Sequence, residues 1–239
     1  MKVLAYTPLH YGKQYLKQVI ESVKDHVDEH LILYTEKPSY GHASNLQNPD
    51  SKQELKSICD EFEHVTWLDV TANQENAHRQ QAFNYARGRG VKIVLAVDSD
   101  EIWNPDYLQS AINKANLGKS YQYGVNGNNW VTFWKSTFEY VQDGFYPIRL
   151  FNLANSPGSQ EVIGGDGIWI YHMGYCISDE LMQYKLSCHG HKSEIPTNWF
   201  KDKWLGYVKG ETKYLHPATD AYWIETKNTD FYLPECLKK

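Results

Sequence analysis

Cysteine is scarce in this chain: Cys59, Cys176, Cys188 and Cys236 are the only four in 239 residues, and no two stand at C-x-x-C spacing. That scatter argues against a zinc ribbon or a disulfide scaffold and implies free thiols in a reducing compartment. Long apolar runs are missing as well, and the mean hydropathy is −0.61, so no segment is a candidate for stable membrane insertion. The N-terminus, MKVLAYTPLHYG, has neither the apolar centre nor the small-residue cleavage site of a secretory signal. It reads as a first strand, and the expected location is cytoplasmic. Positive charge is in deficit: 24 Lys and Arg against 29 Asp and Glu give a net charge of −5. General attraction to polyanions is thereby excluded. One local exception is Lys185 to Lys213, with six lysines against Glu194, Asp202 and Glu211. Internal repeats and low-complexity tracts are absent.

What is present is organised around VKIVLAVDSDEIW, Val91 to Trp103. Its apolar, β-branched run reads as a strand buried on both faces of a parallel sheet. The run stops at Asp98, Ser99, Asp100 and Glu101. Three carboxylates in four positions cannot lie unpaired in a core, so the strand must deliver them to the sheet edge where ligands bind in open α/β folds. Asn104 and Pro105 read as N-cap and first residue of a helix that follows at once and runs to Asn116.

Upstream, strands are expected at Lys2 to Thr7, His30 to Glu36 and Val65 to Val70. The intervening helices begin at Lys13, at the Ser51/Glu54 capping box and at Asn73 as N-cap. The alternation is that of an α/β domain with a mostly parallel sheet. After the Pro105 helix the rhythm changes. Tyr121 to Tyr140 reads as antiparallel strands with a turn, and Tyr146 to Leu153 as another strand. Gly158 to Gly167 is expected to be loop, Ile168 to Tyr175 a strand ending at His172, and Asn198 to Gly206 helical. Ser178 caps a helix with Asp179 and Glu180 in its first turn.

The Asp98-Ser-Asp100 pair is the chemical signal, since two carboxylates one residue apart can reach one hard divalent cation. Phosphatases with such a pair need a following Thr, an EF-hand loop needs Gly where this chain has Trp103, and nucleotidyltransferases need a Gly-rich N-terminal loop that Thr7 to Gly12 is not. A solvated strand-end turn remains the bland alternative. Over Val3 to Trp103, with NAHRQQAFNYARGRGVKIVLAVDSDEIW as its centre, the chain resembles a GT-A glycosyltransferase of the broad family-2 type.

That resemblance implies a nucleotide-sugar donor, a UDP-sugar first, and Mn²⁺ or Mg²⁺ bridging Asp98 and Asp100 to the diphosphate. It places Thr7, Pro8, Glu36, Asp69 and Arg79 at the donor. The second half adds YHMGYCISDELMQYKLSCHGH, where His172 resembles the third metal ligand of several GT-A families and Lys185 and His189 are donor-side candidates. Neither H-x-x-G-x-x-K-P-W nor Q-x-x-R-W is present, so a processive synthase is not expected. An inverting transfer needs a carboxylate base within reach of the acceptor hydroxyl; Asp166 in GGDG is the first candidate and Glu161 the second. Residues 1–119 would form the nucleotide-sugar half, and 120–239 the acceptor half and tail of one continuous domain.

The abundant aromatics, 18 Tyr and 8 Trp, suit core packing or a surface that stacks sugars or bases. The acceptor would be a glycan or lipid-linked sugar or, given the local lysines, a hydroxylated base in phage-type DNA. Two rival readings are a non-catalytic carbohydrate-binding protein and a metal-dependent nucleotidyltransferase.

Overall fold

The computed structural model describes residues 1–38, 44–71, 74–142, 144–188, 190–219 and 223–237. The first half alternates as expected: β1 (Val3–Leu9), α1 (Lys13–Val23), β2 (Glu29–Tyr34), α2 (Lys52–Cys59), β3 (Val65–Asp69), α3 (Glu75–Gly88) and β4 (Ile93–Ala96). The Ser51/Glu54 capping box opens α2. Asn73, the expected cap of α3, lies outside the described residues. Then come β5 (Glu101–Trp103) and α4 (Pro105–Leu117), so a short strand separates the aspartates from the helix expected to follow at once. Asn104 does cap α4, accepting from the Asp106 N–H at 3.2 Å.

The second half contributes β6 (Gln122–Val125), β7 (Trp130–Trp134), β8 (Ser136–Gln142), β9 (Ile148–Asn152), β10 (Gln160–Ile163), β11 (Ile170–Tyr175), α5 (Asp179–Ser187) and β12 (Lys227–Asn228). Two expectations need correction. The stretch Gly158 to Gly167 holds strand β10, and β11 runs past His172 to Tyr175. The stretch expected to be helical, Asn198 to Gly206, holds a π-helix at Phe200–Leu205.

Seven strands form one sheet in the order β10-β6-β9-β4-β1-β2-β3, and five form a second in the order β12-β8-β7-β11-β5. From β4 to β3 the large sheet is parallel; β9 runs antiparallel to both β4 and β6. Because β9 joins β4 and β11 joins β5, the two halves of the chain share both sheets.

Strand alternation builds the core. Val3, Ala5, Ile93 and Leu95 face one side, with residues of α1 and α4. Leu4, Tyr6, Val94 and Ala96 face the other, with Ala82, Phe83 and Ala86 of α3. Both faces of β4 are therefore covered, which is why its sequence is continuously apolar. Among the described residues, no helix is long and apolar enough to cross a membrane.

One buried polar pair crosses the sheet: Thr7 Oγ1 and His30 Nε2 share a 2.8 Å hydrogen bond. Burial pulls the His30 pKa from 6.5 to about 3. A histidine depressed in the folded state contributes stability above its unfolded pKa and loses it as pH falls below that value. Between pH 6 and 4, stability should therefore drop by roughly 1.4 kcal/mol per pH unit from this group. His30→Gln should flatten that slope in urea titrations; an unchanged slope would clear His30 of the effect.

Candidate functional site

Strand β4 ends at the sheet edge, and the turn Asp98 to Glu101 closes with a 3.0 Å bond from the Glu101 N–H to the Asp98 carbonyl. The turn hands its carboxylates to two separate cationic groups. Arg149 on β9 takes the first. Its Nε donates to Glu101 Oε2 at 2.8 Å and its Nη2 donates to Asp98 Oδ2 at 3.0 Å and also to Glu101 Oε1. Glu101 is 1% exposed, so this two-pronged bond neutralises a charge that the core could not otherwise hold. Burial would lower the Arg149 pKa, but the Glu101 and Asp98 carboxylates outweigh it and push the value up. The guanidinium lies over the Trp130 ring, 5.3 Å from its centroid, an added cation–π contact.

Asp100 belongs to the second group. Lys185 Nζ, on α5, donates to Asp100 Oδ2 at 3.1 Å and to the Gly174 carbonyl at 3.0 Å. His172 Nε2 stands 3.6 Å from the same Asp100 oxygen. Burial alone would raise the Asp100 pKa; Lys185 and His172 override it and hold the carboxyl well below the usual range. The His172 position follows from register, since β11 pairs it with Glu101 on one side and Thr132 on the other. Its Nδ1 lies 3.0 Å from Thr132 Oγ1, which already accepts from Trp130 Nε1 at 3.2 Å. A partner on Nδ1 orients the ring and leaves Nε2 as the ligating atom, as is usual for metal-binding histidines.

Gly174 makes the convergence possible. A Cβ there would sit 2.4 Å from Lys185 Nζ, 2.5 Å from Asp100 Oδ2 and 2.6 Å from His172 Nε2. The missing side chain is the cradle over which three polar atoms meet. Among the described residues no three Asp, Glu, His or Cys side chains converge on one point, so the protein would offer a cation two ligands, Asp100 and His172. Their separation suits a shared ion, because ligands roughly 2.1 Å from a metal stand about 3 Å apart at a right angle and farther at wider angles. If this cradle holds a cation, Gly174→Ala should weaken Mn²⁺ binding at least tenfold by calorimetry; an affinity within twofold of the parent would remove the cradle's importance.

The site opens into a cleft of 420 Å³ lined by Pro8, His10, Asp98, Asp100, Arg149, His172 and Lys185, among others. His10 is buried and its pKa is lowered by that burial. Its Nδ1 donates to the Thr35 carbonyl at 2.9 Å and its Nε2 accepts from the Tyr184 hydroxyl at 2.7 Å, tying α5 to the strand edge. A neighbouring cavity of 370 Å³ shares Thr35 and is lined by Tyr34, Glu36, Lys52 and Asp69. There Asp69 pairs with Lys52 at 2.7 Å, and Trp67 stacks on Tyr34 with centroids 5.0 Å apart.

Pro8, Asp98, Asp100, His172 and Lys185 thus come together, with Glu36 and Asp69 next door. Four other expected residues do not join them. Thr7 faces inward, where strand alternation gives its hydroxyl to His30. Arg79 is held on α3 by Glu75 at 2.6 Å and packs over Phe151; Glu75 borders the cleft, but Arg79 does not line it. Asp166 is exposed in the loop before β11, its carbonyl bonded by Trp169 Nε1 at 3.2 Å; the strand then carries His172 away from it. Glu161 is exposed on β10, at the edge of the large sheet, with Ser120 Oγ at 3.3 Å. Neither carboxylate borders a cavity that the aspartates line. His189 lies outside the described residues. Glu101, expected at the ligand-binding edge with the aspartates, is instead buried against Arg149; Arg149 and Gly174 were not expected at the site. A lone arginine in the apolar run YPIRLFNL was the available signal, because a buried charge demands a partner.

No curated protein matches the sequence. Among solved structures, S. aureus TarS 1-349 in complex with UDP is 13% identical with a TM-score of 0.48, over 79% of this chain and 64% of that one. The same protein in complex with UDP-GlcNAc gives 14% and 0.46, over 79% and 66%. Glucosyl-3-phosphoglycerate synthase from Mycobacterium tuberculosis, in complex with Mn²⁺, uridine-diphosphate and phosphoglyceric acid, gives 13% and 0.37, over 52% and 42%. The chain thus spans just under two thirds of the TarS 1-349 length. The model of glycosyl transferase family 2 matches residues 6–176, from β1 through the aspartates, Arg149 and His172. With that match over most of its length, the chain belongs to glycosyl transferase family 2, the GT-A type that its aspartate-bearing strand resembles.

Proposed function

We propose that the protein transfers a sugar from a UDP-sugar to an acceptor hydroxyl with the help of Mn²⁺ or Mg²⁺. The observation that carries this reading is the meeting of Asp100, His172 and Lys185 over Gly174, in a cleft that shares Thr35 with a second cavity. Asp100 and His172 would hold the cation, which as a Lewis acid stabilises the charge that grows on a departing diphosphate. Lys185, now on Asp100, would turn to the phosphates of a bound donor and supply them a cationic donor group. The cavity beside Glu36 and Asp69 would take the nucleobase. Asp98, fixed by Arg149, lies where the cleft meets a third cavity of 190 Å³. Glu101 borders that cavity too, but both its oxygens are bound by Arg149. Asp98 is therefore the carboxylate placed to receive an acceptor proton if transfer inverts the anomeric centre.

Thermal-shift measurements test this directly. UDP with Mn²⁺ should raise the melting temperature more than either alone, since a ligand at 100 times its Kd stabilises by about 2.7 kcal/mol. No shift with UDP and any divalent cation would overturn the reading. Release of UDP from a UDP-sugar would exclude a purely carbohydrate-binding role, and release of pyrophosphate from a nucleoside triphosphate would favour the nucleotidyltransferase.

A further inference from the structure

The 190 Å³ cavity shares Asp98, Arg149 and His172 with the donor cleft, and its far wall is aromatic: Trp130, Tyr175 and Trp223. At His216 it meets a further cavity of 300 Å³, walled by Trp199, Tyr214 and Pro217 with Asn198 and Asp202. His216 is thus a divider between two compartments in line with the site. Its Nδ1 accepts from the Ala218 N–H at 3.1 Å, which leaves the ring proton of the neutral form on Nε2.

The backbone behind the divider is strained. Trp223 and Tyr214 have φ of +53 and +56, a region that aromatic residues seldom enter. They sit side by side in one short ladder, with the Tyr214 N–H bonded to the Ile224 carbonyl at 3.0 Å and the Leu215 N–H to the Trp223 carbonyl at 2.9 Å. One strained ring borders each compartment. Left-handed backbone at bulky residues is costly, persists where the surrounding structure fixes it, and clusters at active sites and ligand clamps. Trp223 is further fixed edge-on against Tyr175, with centroids 4.6 Å apart.

We infer that the two compartments are consecutive sugar subsites, so that the acceptor is the end of a neutral oligosaccharide lying across His216. The inference deepens the glycosyltransferase reading and rests on it for the identity of the donor side. Tyr214 is exposed, whereas Trp130, Tyr175, Trp199 and Trp223 are largely buried and offer these cavities only part of their rings. Aromatic surface beside amide, carboxylate and imidazole groups, with Glu194 and Lys203 also on the outer wall, suits a sugar ring, which has an apolar face and a hydroxyl rim. Three of the six lysines that would suit a nucleic acid are already engaged. Lys209 pairs with Glu139 at 2.9 Å, Lys213 pairs with Glu225, and Lys203 donates to the Lys213 carbonyl at 2.6 Å. A polyanion would have to break these contacts.

The test is direct binding of cello-, chito- and malto-oligosaccharides, from one to four rings, followed by tryptophan fluorescence and calorimetry without donor. At least one series should gain tenfold or more in affinity from one ring to two. Tyr214→Ala, at an exposed ring, should reduce that gain at least fivefold, and Trp223→Leu should weaken the whole series. A gain that Tyr214→Ala leaves intact, or no binding by any series, would overturn the inference. So would tighter, salt-sensitive binding of a duplex containing 5-hydroxymethylcytosine, which would assign the surface to nucleic acid. UDP titration of the same proteins reports separately on the donor side: its failure would strike the parent reading and leave the sugar affinities to decide this one.

Discussion

Replacing Asp100 by asparagine should lower turnover of a UDP-sugar by at least about 1,000-fold, or roughly 4 kcal/mol of transition-state stabilisation. Asp100 is the carboxylate on which Lys185 and His172 both converge. The amide keeps the shape but loses the charge, so it binds a divalent cation poorly and leaves the Lys185 ammonium without its counter-charge. His172→Ala should cost less, on the order of 100-fold, because the cation keeps Asp100 and the phosphate oxygens. The order of the two effects matters as much as their size. Manganese titrations followed by electron paramagnetic resonance should show Asp100→Asn losing nucleotide-dependent metal binding altogether. If that variant keeps a tenth of the parent turnover while folding normally, Asp100 is not the metal carboxylate.

Arg149→Met should be the most destabilising single change at the site, by about 3–5 kcal/mol, because it strands the Glu101 carboxylate in the core. For a chain of this size that corresponds to a fall in Tm of roughly 6–20 °C. Burial already pushes the Glu101 pKa up against the opposing pull of Arg149, and without the guanidinium it would rise further and hold Glu101 neutral. A carboxyl raised in the folded state favours folding below its unfolded pKa of about 4.3 and loses that contribution as pH rises through the folded value. The variant should thus be least impaired in acid. Adding Glu101→Gln should restore much of the loss at neutral pH, since the buried charge is then gone from both sides. Equal melting of Arg149→Met and the parent would mean that the pair is not buried as described.

The first half was legible because each of its signals is local. The Ser51/Glu54 box, the Asn104-Pro105 start and the two-faced burial of β4 depend on residues within one element, and each formed where expected. Asp98, Asp100, His172 and Lys185 were legible as residue types at strand and helix ends. Asp166 and Glu161 fall outside the cavities that Asp98 lines, for the opposite reason. Their placement depends on where a loop and an edge strand land in space, and spacing in sequence carries no such information. Arg149 matters through carboxylates 48 or more residues away and Gly174 through a side chain that is missing, and periodicity is blind to both. Strand β10 hid in a Gly-rich stretch because an edge strand needs little apolar pattern.

The long reach of the Lys185–Asp100 contact, which joins residues 85 apart in sequence, also bears on how the protein becomes competent. Contacts that close long loops form slowly, because the chain entropy must be spent before they give anything back. The β1 to β4 unit can assemble from neighbours, yet it would present Asp98 and Asp100 without His172, Arg149 or Lys185. Nucleotide affinity should therefore trail behind secondary structure in refolding, and a nascent chain would acquire its chemistry only after α5 has docked.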